Sequence, residues 1–92
     1  MAWEANYLDN KRVKDIKKIY EQIGLNVKKY RTRCGYSQDN LAYESGVNRA
    51  YIGYIERGER NPSVAIIYKI ATTLKVPLHE FFIFDTMSKE VG

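Results

Sequence analysis

Residues 48–54 hold side chains that suit hydrogen bonding to the edges of nucleic-acid bases. The guanidinium of Arg49 can donate two hydrogen bonds to O6 and N7 of guanine, a pairing that discriminates against another base by about 1–3 kcal/mol. The same arginine could instead bind a phosphate or lie in solvent. Tyr54 suits either a base or the sugar-phosphate edge, and Ala50 can touch a thymine methyl group. The predicted base contacts are Asn48, Arg49, Ala50 and Tyr54.

Gly53 lies inside the same segment, although a glycine costs a helix interior roughly 1 kcal/mol relative to alanine. Two explanations stay open at this point. Either the backbone approaches a DNA surface closely there, or the helix simply tolerates the glycine.

Other polar residues near this segment suit the binding of phosphate. Gln38 stands at a predicted helix start, where its amide and the backbone N–H groups can donate and where the helix N-terminus favours an anion. Arg57 is a further candidate for a phosphate contact. Glu59 is negative and close to these residues, so it either orients an arginine or opposes DNA at that point.

The sequence lacks the common motifs of enzyme sites and the ligand residues of common metal sites. His79 is the single histidine and Cys34 the single cysteine, so no metal site of ordinary ligand number can be assembled from them. A glycine-rich phosphate loop, a nucleophile elbow and an HExxH motif are also missing. We therefore expect no enzyme, no cofactor and no metal, with Cys34 packed near the end of the first helix.

Length and charge are typical of one small domain. The chain has 92 residues and a net charge of +4, and nine of its fifteen Lys/Arg lie within residues 1–35. The excess of positive charge makes nucleic acid a candidate partner. No apolar run is long enough to span a membrane, and no secretory signal is visible. One unpaired cysteine favours a reducing cytoplasm.

The spacing of apolar residues is helical throughout, which predicts an all-α fold. The first segment, residues 9–34, carries an apolar stripe made of Val13, Ile16, Tyr20, Ile23, Val27 and Tyr30. Gly24 within it is a possible break between two helices. Further helices are predicted over 37–45, 48–57, 64–74 and 78–82, with N-caps at Ser37, Asn48 and Ser63. Val64 is predicted to face the core. Six tyrosines are predicted to lie at its rim, namely Tyr7, Tyr20, Tyr30, Tyr36, Tyr43 and Tyr68.

The second and third of these segments meet the requirements of a helix-turn-helix unit. Two helices that cross steeply need a small residue where their backbones approach, and Ala42 supplies it. A turn of three residues favours a position of positive φ, which Gly46 can adopt. Ile52 and Ile55 supply the inward face of the second helix.

Residues 23–82 resemble the Cro/CI-type (XRE) helix-turn-helix family of phage and bacterial repressors. The resemblance depends on a series of landmarks along the chain, which are Ile23, Gly24, Val27, Tyr30, Arg31, Gly35, Ser37, Gln38, Leu41, Ala42, Gly46, Val47, Ile52, Ile55, Glu56, Gly58, Pro62, Ser63, Leu74 and Val76. It implies a compact five-helix lambda-repressor-like domain whose third helix lies in the major groove of DNA. Residues 1–22 are then an N-terminal helical extension and residues 83–92 a C-terminal tail. Within the family, residues 48–63 are similar to the controller proteins of restriction–modification systems.

The resemblance also implies roles for individual residues. Arg31 and Glu56 occupy the positions of a semi-buried structural ion pair. Gln38 occupies the position of a phosphate anchor. The resemblance implies phosphate contacts from Gln38, Tyr51, Arg60 and Asn61, and Arg57 is added to them as a further candidate.

The C-terminal segment is too aromatic to be left in water. Part of it must fold onto the core, and the remainder is a candidate dimer interface, a role that the family often gives to its fifth helix. The predicted interface residues are Leu78, Phe81, Phe82 and Phe84. The stripe on residues 1–22 could add to the dimer contact, pack on its own subunit or bring its lysines to DNA.

The leading hypothesis is a homodimeric transcriptional regulator that binds a pseudo-palindromic operator in double-stranded DNA. Its two half-sites would lie about one helical turn apart, and it would block or recruit RNA polymerase. An alternative is an antitoxin that binds a toxin protein and regulates its own operon. A third possibility is a protein-interaction module, which the presence of Gln38, Arg49 and Arg60 disfavours.

Overall fold

The computed structural model describes the backbone of residues 2–84 and the side chains of residues 15–84. Four α-helices are followed by a short 3₁₀ helix. They are α1 (Ala2–Arg33), α2 (Gln38–Ser45), α3 (Arg49–Glu56), α4 (Val64–Leu74) and the 3₁₀ helix (Leu78–Phe82). The all-α prediction is confirmed, and the segment predicted as a fifth helix is the 3₁₀ helix. Residues 85–92 of the predicted tail, and the side chains of Tyr7 and Val13, lie outside the described part.

The short helices begin and end at the residues that local rules predict. The Ser37 hydroxyl accepts a hydrogen bond from the N–H of Asn40 at 2.9 Å, while the Asn40 side chain accepts one from the N–H of Ser37 at 3.4 Å, which completes a capping box. The Ser63 hydroxyl accepts a hydrogen bond from the N–H of Ile66 at 3.1 Å and so caps α4. Gly46 ends α2 with a φ of 74°, in the left-handed region that glycine adopts without steric cost.

The first helix is continuous from Ala2 to Arg33, so the break considered at Gly24 does not occur. Gly24 instead lies against the C-terminal end of α3, where a β-carbon would come within 2.2 Å of the Ile55 carbonyl oxygen and 2.8 Å of the Glu56 carbonyl oxygen. The absence of a side chain therefore lets α1 and α3 approach each other closely. The boundary predicted between residues 22 and 23 falls inside α1.

One apolar core joins all five elements. Its buried members are Ile23, Val27, Leu41, Val47, Ile52, Ile55, Ile67, Ile70, Ala71, Leu74 and Phe81. Ala42, the small residue predicted between α2 and α3, is partly buried against this cluster.

Some residues predicted to face the core or its rim are exposed instead. Val64 is 64% exposed at the first position of α4, one turn before the buried Ile67. Tyr43 and Tyr68 are 86% and 59% exposed, so they do not belong to the rim. Ile16 is exposed as well, since the packed part of α1 begins at Ile19.

The 3₁₀ helix is attached to α1 by its backbone and by one aromatic ring. The Asn26 amide donates to the carbonyl oxygens of Phe81 and Ile83, both at 3.0 Å. The Phe81 ring is fully buried and meets the Tyr30 ring edge to face, with centroids 5.3 Å apart. Phe81 is therefore a core residue of the monomer, and its predicted place in a dimer interface is wrong. Among residues 2–84 no helix has the length and apolar character that a membrane crossing requires.

Candidate nucleic-acid interface

Helices α2 and α3 form a compact corner around the three residues that separate them. Each helix has eight residues, and α3 buries Ile52, Gly53 and Ile55 while its N-terminal residues are exposed. We call the outward residues Asn48, Arg49, Ala50 and Tyr54 the α3 surface. Asn48, Arg49 and Ala50 are exposed at the N-terminus of α3, whereas Tyr54 is half-buried and lies one turn further along the helix than Ala50.

A buried polar network fixes the orientation of this corner. Arg31 on α1 donates to both carboxylate oxygens of Glu56 at the end of α3, at 2.6 and 3.1 Å, and to the carbonyl oxygen of Tyr36 at 2.8 Å. The side chains of Arg31 and Glu56 are only 11% and 4% exposed. The ion pair that the resemblance implied is therefore present, and its bidentate geometry ties α1 to both ends of the helix-turn-helix unit.

Gln38 belongs to the same network. Its Nε2 donates to Glu56 Oε1 at 2.9 Å, so the side chain points into the corner rather than freely into solvent. Sequence reasoning missed this contact, because Gln38 and Glu56 are 18 residues apart and meet only when α2 packs on α3. One amide hydrogen is engaged with Glu56, and the second hydrogen and the backbone N–H remain as the donors that a phosphate could use.

The N-terminus of α3 uses one of the predicted base contacts as its cap. The Asn48 side-chain oxygen accepts hydrogen bonds from the N–H groups of Ala50 and Tyr51, at 2.8 and 3.3 Å. The remaining hydrogen-bonding group of that side chain is its Nδ2 amide. Asn48 can therefore act on DNA only as a donor while it holds the helix start in place.

Two arginines flank the ring of Tyr54. The Arg60 guanidinium lies 4.5 Å from the ring centroid and the Arg57 guanidinium 5.4 Å from it, distances typical of cation–π contacts. Arg57 Nε also donates to Glu59 at 3.0 Å. We call Tyr54, Arg57, Glu59 and Arg60 the Tyr54 cluster. It concentrates positive charge beside α3, which favours an anionic partner.

Glu59 orients one arginine of the cluster, which is one of the two alternatives that the sequence left open. The hydrogen bond from Arg57 holds the pKa of Glu59 below its usual value, and the same bond raises the pKa of Arg57. Glu59 is therefore ionised at neutral pH and keeps Arg57 along the side of α3.

The glycine within α3 lies beneath a guanidinium of the same cluster. A β-carbon on Gly53 would lie 3.2 Å from the Nη1 of Arg57, so the guanidinium covers the helix backbone at that point. The sequence carried one signal for the contact between Arg57 and Tyr54, namely their spacing by three residues along one helix face.

Tyr51 and Asn61 connect α3 to the loop that follows it. The Tyr51 hydroxyl donates to the carbonyl oxygen of Asn61 at 3.0 Å. Its single hydrogen is thus used within the protein, and the contact places the loop that carries Arg60 next to α3. Asn61 itself is exposed.

The described residues offer little for other chemistry. In residues 15–84 no group of three or more His, Cys, Asp or Glu side chains is placed to hold a metal ion. Cys34 is exposed, just after the end of α1, with its Sγ 3.6 Å from the Leu74 carbonyl oxygen. His79 Nε2 lies 3.9 Å from a carboxylate oxygen of Glu80.

Comparison with known proteins connects this corner to one family. A sequence model of the helix-turn-helix family matches residues 27–81, which is more than half of the chain. The chain belongs to the helix-turn-helix family. The match to this helix-turn-helix family includes α2, α3, the Arg31–Glu56 pair and the Tyr54 cluster, and the resemblance to Cro/CI-type proteins is confirmed.

Two relatives by sequence are especially informative. The HTH-type transcriptional regulator SlrR of Bacillus subtilis is 48% identical over 69 residues, which are 74% of this chain and 45% of SlrR. The chain thus spans less than half the length of that regulator. The control protein C.SmaI of Serratia marcescens is 35% identical over 78 residues, 85% of this chain and 89% of C.SmaI.

A solved structure extends the likeness to three dimensions. The restriction-modification controller protein C.AhdI from Aeromonas hydrophila superposes with a TM-score of 0.67 at 41% sequence identity, covering 68% of this chain and 96% of C.AhdI. The corner formed by α2 and α3 is therefore the helix-turn-helix unit that the sequence predicted.

Proposed function

We propose that the chain is a sequence-specific regulator of transcription that binds double-stranded DNA. The observation that carries the proposal is the exposed α3 surface next to the positively charged Tyr54 cluster, on a corner held rigid by the buried Arg31–Glu56 pair. A rigid helix with exposed polar side chains at its N-terminus suits entry into the major groove. Membership of the helix-turn-helix family supports the same function.

The residues of the corner divide into two roles. Arg49, Ala50 and the Nδ2 amide of Asn48 read base edges, and Tyr54 contributes at the rim of the groove. Arg57 and Arg60 bind phosphates, for which the Tyr54 ring orients their guanidinium groups. Gln38 holds a phosphate through its backbone N–H and its second amide hydrogen, at the positive end of the α2 dipole. Tyr51 and Asn61 place the loop that carries Arg60.

We further propose a homodimer on a pseudo-palindromic operator. Leu78 and Phe84 are only partly buried on the core, and Phe82 is 38% exposed beside them. An apolar surface of this kind at one end of a small domain suits a two-fold contact. The similarity to C.SmaI and C.AhdI favours the controller proteins as the subgroup.

Selection of binding sites from a library of randomised duplexes, followed by footprinting, tests this function. We expect a two-fold symmetric sequence with half-sites about one helical turn apart. Affinity should fall steeply as salt rises, because phosphate contacts release counterions. Failure of the purified chain to enrich any sequence, even at low ionic strength, would contradict the proposal.

A further inference from the structure

An exposed ion pair connects the first turn of α2 to the first residue of α3. The carboxylate Oδ1 of Asp39 accepts a hydrogen bond from the Nε of Arg49 at 2.7 Å. Both side chains are largely in solvent, 59% exposed for Arg49 and 77% for Asp39. Exposed pairs of this kind contribute little to folding stability. What the contact fixes is the position of the arginine side chain.

The carboxylate engages one particular edge of the guanidinium. Nε is the nitrogen nearest the aliphatic stem, and in the part of the chain that the structure describes the two terminal nitrogens of Arg49 make no hydrogen bond. The two-fold contact of an arginine with O6 and N7 of guanine can use those terminal nitrogens. Because the guanidinium is planar, a partner on Nε fixes the plane in which the terminal donors lie.

We propose that Asp39 is a positioning residue that sets base specificity through Arg49, holding its terminal nitrogens towards the base edges before DNA arrives. This inference rests on the proposed function. A long side chain that is already oriented loses less conformational freedom on binding, so more of the hydrogen-bond energy contributes to discrimination. Asp39 thereby determines which bases are accepted although it contacts none of them.

The charge of Asp39 makes this role separable from a role in affinity. A carboxylate near the phosphates of DNA is repelled by them, so on affinity alone its removal is favourable. A positioning role has the opposite effect on discrimination, which should fall when the carboxylate is removed. Affinity for random DNA and discrimination on the selected site should therefore change in opposite senses.

The test uses the duplex that the wild-type chain selects and three derivatives. One guanine of that duplex is identified first, as the one whose replacement weakens binding by wild type but not by Arg49→Ala. In the three derivatives this guanine is replaced by adenine, cytosine or thymine. Wild type should prefer the guanine by roughly 5- to 150-fold. Asp39→Asn should lower that ratio several-fold, keep discrimination at the other base pairs, and bind a random duplex equally well or more tightly. In an Arg49→Ala background, Asp39→Asn should have no further effect at that position.

Glu44→Gln is the matched control, because it removes one negative charge from the other, exposed end of α2. It should leave the guanine preference unchanged. Urea unfolding of each variant separates positioning from a loss of structure, since Asp39→Asn should keep wild-type stability. An unchanged guanine preference in Asp39→Asn overturns the inference, as does an equal loss in Glu44→Gln or the absence of any guanine that depends on Arg49. If wild type selects no sequence, the proposed function fails, and the inference fails with it.

Discussion

The guanidinium of Arg57 lies against the α-carbon of Gly53, at a point where a β-carbon would come within 3.2 Å of its Nη1. Gly24 has a similar relationship with the end of α3, but its nearest atoms are backbone carbonyl oxygens, 2.2 and 2.8 Å from an added β-carbon. One glycine thus faces the end of a flexible side chain, and the other faces backbone that cannot move without displacing a helix.

This difference predicts opposite effects of alanine at the two glycines. Gly53→Ala should leave the free energy of unfolding unchanged or raise it by up to about 1 kcal/mol, because alanine favours the helix and the guanidinium can shift. Gly24→Ala should lower it by about 1–3 kcal/mol, since α1 and α3 must separate. Urea unfolding measures both. Equal losses in the two variants would show that the Arg57 contact is as rigid as backbone packing.

The two glycines also illustrate how far the sequence could predict the fold. The caps Ser37, Asn48 and Ser63 were predictable, because each acts on N–H groups two or three residues away. The role of Gly24 was not predictable, because the carbonyl groups that exclude a side chain there are 31 or more residues further along the chain. A single glycine within a helical pattern has the same local preference whether it breaks the helix or packs against another one.

The candidate site could be predicted in composition but not in its internal contacts. The exposed residues of α3 follow from helical spacing and from the position of Asn48. The contacts of Gln38 with Glu56 and of Arg60 with Tyr54 depend on how the corner and its loop close, which no local pattern specifies. The aromatic C-terminal segment indicates more apolar side chains than the core was expected to hold, which is why the sequence places Phe81 at a surface. In the structure the Tyr30 ring packs on the Phe81 ring and the Asn26 amide binds its carbonyl oxygen, so Phe81 lies in the core.

The buried pair should be far more important for stability than the exposed one. Glu56→Ala leaves Arg31 without its carboxylate at a site that is almost closed to water, and we expect a loss of about 3–5 kcal/mol in the free energy of unfolding. Asp39→Ala, which breaks an exposed pair, should cost less than about 1 kcal/mol. Replacing both buried partners, as in Arg31→Met with Glu56→Leu, should recover much of the loss. A double variant less stable than Glu56→Ala would argue against this account.

Arg60 should contribute to affinity rather than to sequence preference. Because we assign it to a phosphate, Arg60→Ala should weaken binding to the selected duplex and to a random duplex by a similar factor. It should also reduce the slope of log affinity against log salt by about 1. Lys69→Ala removes an exposed positive charge from α4 and should leave that slope nearly unchanged. Selective loss on the selected duplex would instead make Arg60 a base contact.

The contact between Arg57 and Glu59 predicts a particular response to pH. Glu59 has a lowered pKa in the folded chain, so the pair's contribution to stability is complete above the ordinary carboxyl pKa and is lost as pH falls through the folded value. An NMR titration should place the Glu59 midpoint below that of an ordinary glutamate. Arg57→Gln should return the midpoint towards the ordinary value, whereas Lys69→Ala should not move it. A midpoint insensitive to Arg57→Gln would remove the assigned cause.

Substitutions at two neighbouring phenylalanines should affect folding and dimerisation separately. Phe81 is fully buried, so Phe81→Ala should lower the free energy of unfolding by about 3–5 kcal/mol. Phe82 is partly exposed, and Phe82→Asp should keep the helical circular dichroism spectrum while shifting sedimentation towards the monomer. Val64→Ser changes an exposed apolar residue on α4 and serves as the control, with no expected effect on association. If Val64→Ser dissociates the dimer and Phe82→Asp does not, the two-fold contact lies on α4 rather than beside the 3₁₀ helix.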